Sequence, residues 1–378
     1  MSYFANPRFK LALIIVIVST MLSAGCETIH FYRQAAWGQL KLMHARVPVA
    51  QAEQDAEAST QALAGLQSAR RIIKFAEGEL KLAADGRYQS YVQLDREYVL
   101  WNLFAAEAYS VTGVQWCYPM VGCAPYRGYF NSSAVDALAQ KYQQRGFETY
   151  VGGVPAYSTL GWFDDPLLSS FIVWPAPDLA NLIIHELAHS RIWVRGDVAF
   201  NESFAEFVGN AGAAAWLARE GQDAEWHQWM QQRSAALRFR DFLEQARDYL
   251  QDVYQSPAES LAADKAAAVR DIHACYAAQK PLLGEGKYDQ LMAQHFNNAL
   301  LVSISTYADW LPAFAQLHNR AAGDWQQFFS MAEELADLEF GARQARLLTL
   351  AEQQESQRRY DEHADEVNCK PFFGHGTN

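Results

Sequence analysis

From Asp178 onward, apolar residues recur every three to four positions. This spacing predicts helices over roughly 179–194, 199–218, 222–252, 258–280, 286–300 and 309–336, then a charged helical stretch to about residue 365. Ahead of that point, the text from Ile29 to about Ala84 also reads as helix. Gln34 to Leu42 is amphipathic, and the Ala-, Gln- and Glu-rich run from Ala50 to Ala84 carries apolar residues at helical spacing. Between Tyr88 and Tyr157 the pattern shifts. Tyr98-Val99-Leu100-Trp101 and Phe147-Glu148-Thr149-Tyr150-Val151 are β-branched and aromatic runs that predict strands. Asn131 supplies a cap-type residue for a helix over Ala134 to Tyr142 between them. No internal repeat is visible. The expected fold class is α+β, predominantly α, with a small strand-bearing region over 26–177 and a helical region over 178–368.

The first residues read as an address. Arg8 and Lys10 precede an uninterrupted apolar run, Leu11 to Val18, which is too short to span a membrane comfortably and ends in small residues. Residues 1–25 are therefore expected to be a secretory signal. Ser23-Ala24-Gly25-Cys26 resembles a bacterial lipobox, with Ser23 where the usual pattern has an aliphatic residue, and the resemblance implies acylation of Cys26 after cleavage. Glu27 stands where an Asp commonly retains lipoproteins at the inner membrane, so the expected location is the periplasmic face of the outer membrane. Export makes a disulfide between Cys117 and Cys123 the expectation, because two prolines and a glycine make the intervening loop tight. Whether Cys275 pairs with Cys369 stays open.

Composition narrows the function. Half of the 378 residues are hydrophobic and 20% are charged, so the chain can bury a real core. Lys plus Arg number 31 against 43 Asp plus Glu, a formal charge of -12. That balance argues against nucleic acid as a partner and gives the body as a whole no attraction to anionic lipid. No glycine-rich phosphate loop occurs.

One segment carries chemistry. His185-Glu186-Leu187-Ala188-His189 fits H-E-x-x-H, and Asp178, after Pro175 and Pro177, is expected to cap the helix that bears it. Residues four apart on a helix share a face, so His185 and His189 present two imidazoles to one zinc ion. Glu186 lies about 100° further round and can reach a water without ligating the metal. A third ligand is expected from Glu202, near the start of the next helix, with Gly196 and Asp197 letting that helix fold back antiparallel. Glu206, one turn later, is placed to accept the second ring N–H of a ligand histidine.

His185-Glu186-Leu187-Ala188-His189 followed by Asn201-Glu202-Ser203-Phe204-Ala205-Glu206 resembles the gluzincin branch of zinc metallopeptidases. The resemblance is closer to the bacterial lipoprotein family described as putative aminopeptidases. Its pattern is matched by Tyr32-x-Gln34-x-x-x-Gly38-Gln39-Leu40, by Trp116-Cys117 with Gly122-Cys123-x-Pro125-Tyr126-Arg127-Gly128-Tyr129-Phe130, by Ala156 to Pro166 and by Asn297-Asn298-Ala299. The resemblance implies a zincin-like helical part, His185, His189 and Glu202 as zinc ligands, Glu186 as general base, and a peptide as substrate. The interval from His189 to Glu202 is shorter than in the better-known aminopeptidases, and their G-x-M-x-N segment does not occur. Tyr254 and Tyr307 are the candidates for a phenol that stabilises the oxyanion. Gly152 to Thr159 is a candidate strand for pairing with an extended peptide. The competing readings are a zinc endopeptidase and a non-catalytic envelope lipoprotein that serves as a binding scaffold. His227, His273, His295 and His318 have no partner at ligand spacing and are expected to be surface or capped residues.

Overall fold

The computed structural model describes residues 29, 31–55, 59–118, 122–156, 164–304, 310–361 and 367–373, and these form an α+β fold that is predominantly α. The strands are β1 (Val47–Pro48), β2 (Ser90–Val92), β3 (Leu100–Glu107), β4 (Trp116–Tyr118), β5 (Gly122–Ala124), β6 (Arg127–Tyr129), β7 (Phe147–Val154) and β8 (Leu167–Leu168). The helices of the first half are α1 (31–44), α2 (Val49–Ala52), α3 (Thr60–Gly78) and α4 (Ser132–Gln144). Those of the second half are α5 (Ala176–Arg191), α6 (Val198–Glu220), α7 (Asp223–Val253), α8 (Leu261–Gln279), α9 (Asp289–His295), α10 (Asn298–Ile304), α11 (Leu311–Arg320), α12 (Trp325–Ala336) and α13 (Phe340–Asp361).

The helical reading of residues 29–84 needs correction. Pro48, with φ -54° and ψ 138°, takes the chain out of helix, and β1 pairs antiparallel with β2 through Val47↔Tyr91 and Pro48↔Ser90. After the short α2, α3 starts at a Ser59 cap, whose side chain accepts from the Ala62 N–H, and stops at Gly78 rather than Ala84. Two longer predicted helices are likewise broken. The 309–336 stretch divides into α11 and α12, where Ala322 and Gly323 take positive φ and Asp324 accepts from the Gln327 N–H at 2.9 Å. The 286–300 stretch divides into α9 and α10 at Phe296, whose backbone is extended.

Three small sheets form among the described residues. β1, β2 and β8 make one, and β6, β3 and β7 make a second, in which β3 and β7 pair antiparallel from Leu100↔Val154 to Glu107↔Phe147. The third is the β4–β5 hairpin, joined by a Cys117–Cys123 disulfide. A second disulfide, Cys275–Cys369, fastens residues 367–373 to α8.

The Asn297-Asn298 motif is a joint between the second sheet and the helical body. Asn298 donates its backbone N–H to Glu148 Oε2 (2.7 Å) and its side chain to the carbonyls of Glu107 (3.0 Å) and Ala108 (3.1 Å). Lys265 of α8 pairs with the same Glu148 and donates to the Ala108 carbonyl. These bonds satisfy backbone groups at the sheet end that would otherwise be buried without partners.

The main apolar core crosses the whole chain. Leu66, Ile72 and Leu82 from its first half pack with Ile183, Leu187, Phe200, Phe204 and Trp216 from its second. Phe204 lies against Phe314, Phe328 and Phe329, so α11 and α12 brace the start of α6. No helix among the described residues is long and apolar enough to cross a membrane.

Candidate metal centre

Helix α5 begins at Ala176, two residues before Asp178, which is the position expected to cap it. Pro177 falls in the first turn, where a missing N–H costs nothing. Asp178 therefore sits inside the helix, where it favours the positive end and accepts from the Trp229 indole N–H at 2.8 Å. Leu179, Ile183 and Leu187 bury the opposite side, which turns His185 and His189 toward α6.

The turn that follows is built by three residues. Gly196 adopts φ +81°, open to glycine without strain. Asp197 caps α6 by accepting from the Phe200 N–H at 3.1 Å. Asn201 closes the turn from within, accepting from the Val194 N–H (2.7 Å) and donating to the Val194 carbonyl (2.8 Å). Helix α6 then runs back antiparallel against α5. At Gly209 a Cβ would lie 2.9 Å from the Asn181 carbonyl oxygen and 3.1 Å from His185 Cβ, so only glycine permits this approach.

Three ligand atoms meet across the pair. The Nε2 atoms of His185 and His189 are 3.1 Å apart, and Glu202 places Oε2 3.6 Å from the first and Oε1 3.7 Å from the second. All three residues offer atoms within 4.8 Å of one another, so the group could hold a metal ion. Two donors each ~2.1 Å from a shared tetrahedral ion stand ~3.4 Å apart, and the observed distances bracket that value. Two imidazoles and one carboxylate are a donor set suited to zinc with one position left open. The residues fit the ion.

Of the three, His185 has support behind it, whereas His189 Nδ1 is buried with no hydrogen-bond partner among the described residues. Glu206 Oε2 is 3.6 Å from His185 Nδ1, and Glu206 is itself held by an Arg233 ion pair and by Asn210 (3.3 Å), which in turn accepts from Asn181 (2.8 Å). Arg233 lies over the Trp229 ring at 4.9 Å, so Trp229 carries both Asp178 and Arg233. Glu206→Gln should weaken metal binding by about 10–100-fold while leaving the fold intact, measured by zinc titration against a chelator of known affinity.

The electrostatics separate the groups by role. Burial holds His189 down at about 4, with His185 adding to the effect, so His189 is neutral and free to ligate at neutral pH. Burial also disfavours a charged His185, but the Glu202 hydrogen bond and the Glu186 and Glu202 charges outweigh it and raise the group. Burial pushes against Glu202 too, and there the two histidines prevail, keeping the carboxyl below its ordinary range. Glu186 is pushed up to about 7, chiefly by burial, with the Glu202 and Asp165 charges adding and His185 and Arg87 opposing.

Several residues around the site escaped the sequence reading. Arg87, buried, bonds the carbonyls of Ala84 and Ala83 and stands beside Glu186. Tyr88 adopts a left-handed φ of 63°, donates its backbone N–H to the Asp165 carbonyl (2.8 Å), and has its phenol raised well above the usual range by burial and then by the Glu186 and Asp165 charges. Tyr126 is raised by burial and by the neighbouring Glu202 charge. Asp165 and Tyr126 lie in motifs the sequence displays, but nothing local marks Tyr88 or Arg233. Of the two phenols expected over the metal, Tyr254 donates its hydroxyl to Asn298 Oδ1 at 2.7 Å and belongs to the sheet joint. Tyr307, Cys26 and residues 157–159 lie outside the described residues. His318 is not a surface residue either: it packs among Phe207, Trp325 and Phe328.

Comparison with curated proteins gives no match, nor does comparison with solved structures. A family model does: the one described as "putative aminopeptidase" matches residues 30–347, most of the chain, and the protein belongs to that family.

Proposed function

We propose that the chain is a zinc-dependent peptidase, an aminopeptidase anchored through acylated Cys26 at the periplasmic face of the bacterial outer membrane. The observation that carries this reading is the convergence of His185, His189 and Glu202 on one point, with Glu186 adjacent. Family membership supports a peptide as the substrate class. His185 Nε2, His189 Nε2 and a Glu202 carboxylate oxygen would hold the ion, which supplies a Lewis acid for the scissile carbonyl and acidifies a water.

The chain's own groups do the rest. Glu186, with its carboxyl near neutrality, accepts a proton from the attacking water and returns it to the leaving amine nitrogen. Its position in a low-dielectric wall formed with Tyr88 and Arg87 suits a group that must be a base first and an acid later. Glu206 and Arg233 fix the His185 ring. The Tyr88 and Tyr126 phenols, held protonated by burial and by the Glu186 and Glu202 charges respectively, are candidate donors for a developing oxyanion. Strand β7 lies at the edge of its sheet, and Phe104 links Tyr150 on that strand to Tyr126. An extended peptide can add there through main-chain hydrogen bonds.

Metal content and a paired digest test the reading. The purified chain should hold one zinc, lose cleavage on chelation and regain it with zinc. Peptides with free amino termini should be shortened from that end while acetylated copies resist. Equal cleavage of both would make the protein an endopeptidase, and a metal-free, inactive chain would leave the envelope scaffold.

A further inference from the structure

Helix α1 has two unlike faces. Phe31, Gln34, Gly38 and Leu42 look inward. Phe31 and Leu42 are buried, Gln34 bonds both Gly128 and Phe130 backbones, and Gly38 sits so close to the Phe130 ring that a Cβ would approach within 2.2 Å. This accounts for Gln34 and Gly38 in the family-like motif but not for Tyr32 and Leu40. Those two point the other way, with Ile29 (68% exposed), Trp37 (65%) and Leu40 (61%) forming a bare apolar stripe. Four of the ten large hydrophobic side chains exposed among the described residues lie within these twelve positions, which is too dense for scattered surface residues.

The charge around the stripe is also anomalous. The protein carries -12, yet no acidic residue occurs between Glu27 and Glu53, a stretch that holds Arg33, Lys41 and Arg46. Arg33 and Lys41 are exposed on the same side of α1 as Trp37 and Leu40. An apolar stripe with an interfacial tryptophan and flanking cations is the composition of a helix lying in the headgroup layer of a bilayer. The position agrees: Cys26 precedes Ile29 by three residues, a reach of no more than about 10 Å.

We propose that the outer face of α1, with Ile29 just ahead of it, is a lipid-docking surface, with Ile29, Tyr32, Trp37 and Leu40 entering the interface of a bilayer and Arg33 and Lys41 meeting anionic headgroups. The occupant is the membrane that would receive the Cys26 acyl chains, so this step builds on the anchor reading. It makes the tethered body sit in one orientation instead of swinging from its anchor.

The test separates the surface from the anchor. The signal-free chain starting at Glu27, which lacks acyl groups and keeps every described residue, is floated with phosphatidylethanolamine vesicles containing phosphatidylglycerol. It should co-float, and Trp37→Ser with Leu40→Ser should reduce the floated fraction by about tenfold. Arg33→Glu with Lys41→Glu should do the same at low salt, and wild-type binding should weaken as salt rises. Zinc content and cleavage of a soluble peptide should be unchanged in both pairs, which reports that they fold. Flotation of the wild type no better than that of the variants would overturn the proposal. So would a wild-type dimer that the Trp37 and Leu40 changes dissociate, because the stripe would then cover a second copy. The mass of the amino-terminal peptide from membranes decides the Cys26 acylation independently.

Discussion

Glu186→Gln is expected to leave one zinc bound per chain while peptide turnover falls at least ~10³-fold. The amide keeps the shape of the carboxyl and removes only its ability to take and return a proton, and it leaves His185, His189 and Glu202 untouched. A second consequence has the opposite sign. A carboxyl raised to about 7 from an ordinary value of 4.5 is charged at a cost in the folded state at any pH above that raised value. The cost fades as pH falls toward 4.5, where the group is protonated whether the chain is folded or not. The metal-free Gln variant should therefore melt above the metal-free wild type at pH 8, by up to ~3 kcal/mol in stability, with the advantage vanishing near pH 4. Calorimetry across pH and turnover of a reporter peptide measure the two effects. Residual turnover above about a hundredth of wild type would place the base on another residue.

What made the candidate site legible in advance was its locality. His185, Glu186 and His189 occupy a single helical turn, Glu202 and Glu206 another, and helical geometry alone decides which side chains share a face. Gly196 and Asp197 announce the turn between them, because a left-handed residue followed by a cap has few other uses. Tyr88, Arg87 and Arg233 had no such mark. They reach the site from a loop and from α7, roughly a hundred and fifty positions apart, and their contribution depends on packing across the core rather than on any spacing. The helix breaks at Pro48 and at Gly323-Asp324 were written in the chain in residue types that commonly end and start helices. They were overridden by strong apolar periodicity on either side. Asp178 illustrates the reverse case. It has the chemistry of a cap, but Pro177 starts the helix earlier, and the carboxylate instead receives the Trp229 indole. The Asn297-Asn298 pair, part of the family-like pattern, proves to be joinery, because its bonds run to backbone at Glu107, Ala108 and Thr149.

The turn between the two site helices depends on a residue far from it in sequence, and removing that residue should be the most destabilising single change near the site. Arg343 of α13 is 4% exposed and places Nε 2.9 Å from Asp197 Oδ2, whose own side chain is equally buried. It also donates to the carbonyls of Ala336 (3.1 Å) and Leu338 (2.5 Å), so one guanidinium ties the end of α12 to the turn before α6. Breaking a buried ion pair by deleting one partner strands the other charge, a loss of about 3–5 kcal/mol. Arg343→Met should lower stability by that amount in denaturant titration, and the folded fraction should bind zinc more weakly, because Asp197 and Asn201 fix where Glu202 stands. The double variant distinguishes stranded charge from lost packing. Asp197→Asn still offers an oxygen to the Phe200 N–H, so it keeps the cap while removing the charge. In the Arg343→Met background it should recover ~1–2 kcal/mol. Asp197→Asn alone should destabilise, since it then leaves Arg343 unpaired. If the two changes simply add, Arg343 acts by filling space, and the turn is held by Asn201 and the Gly196 conformation without it.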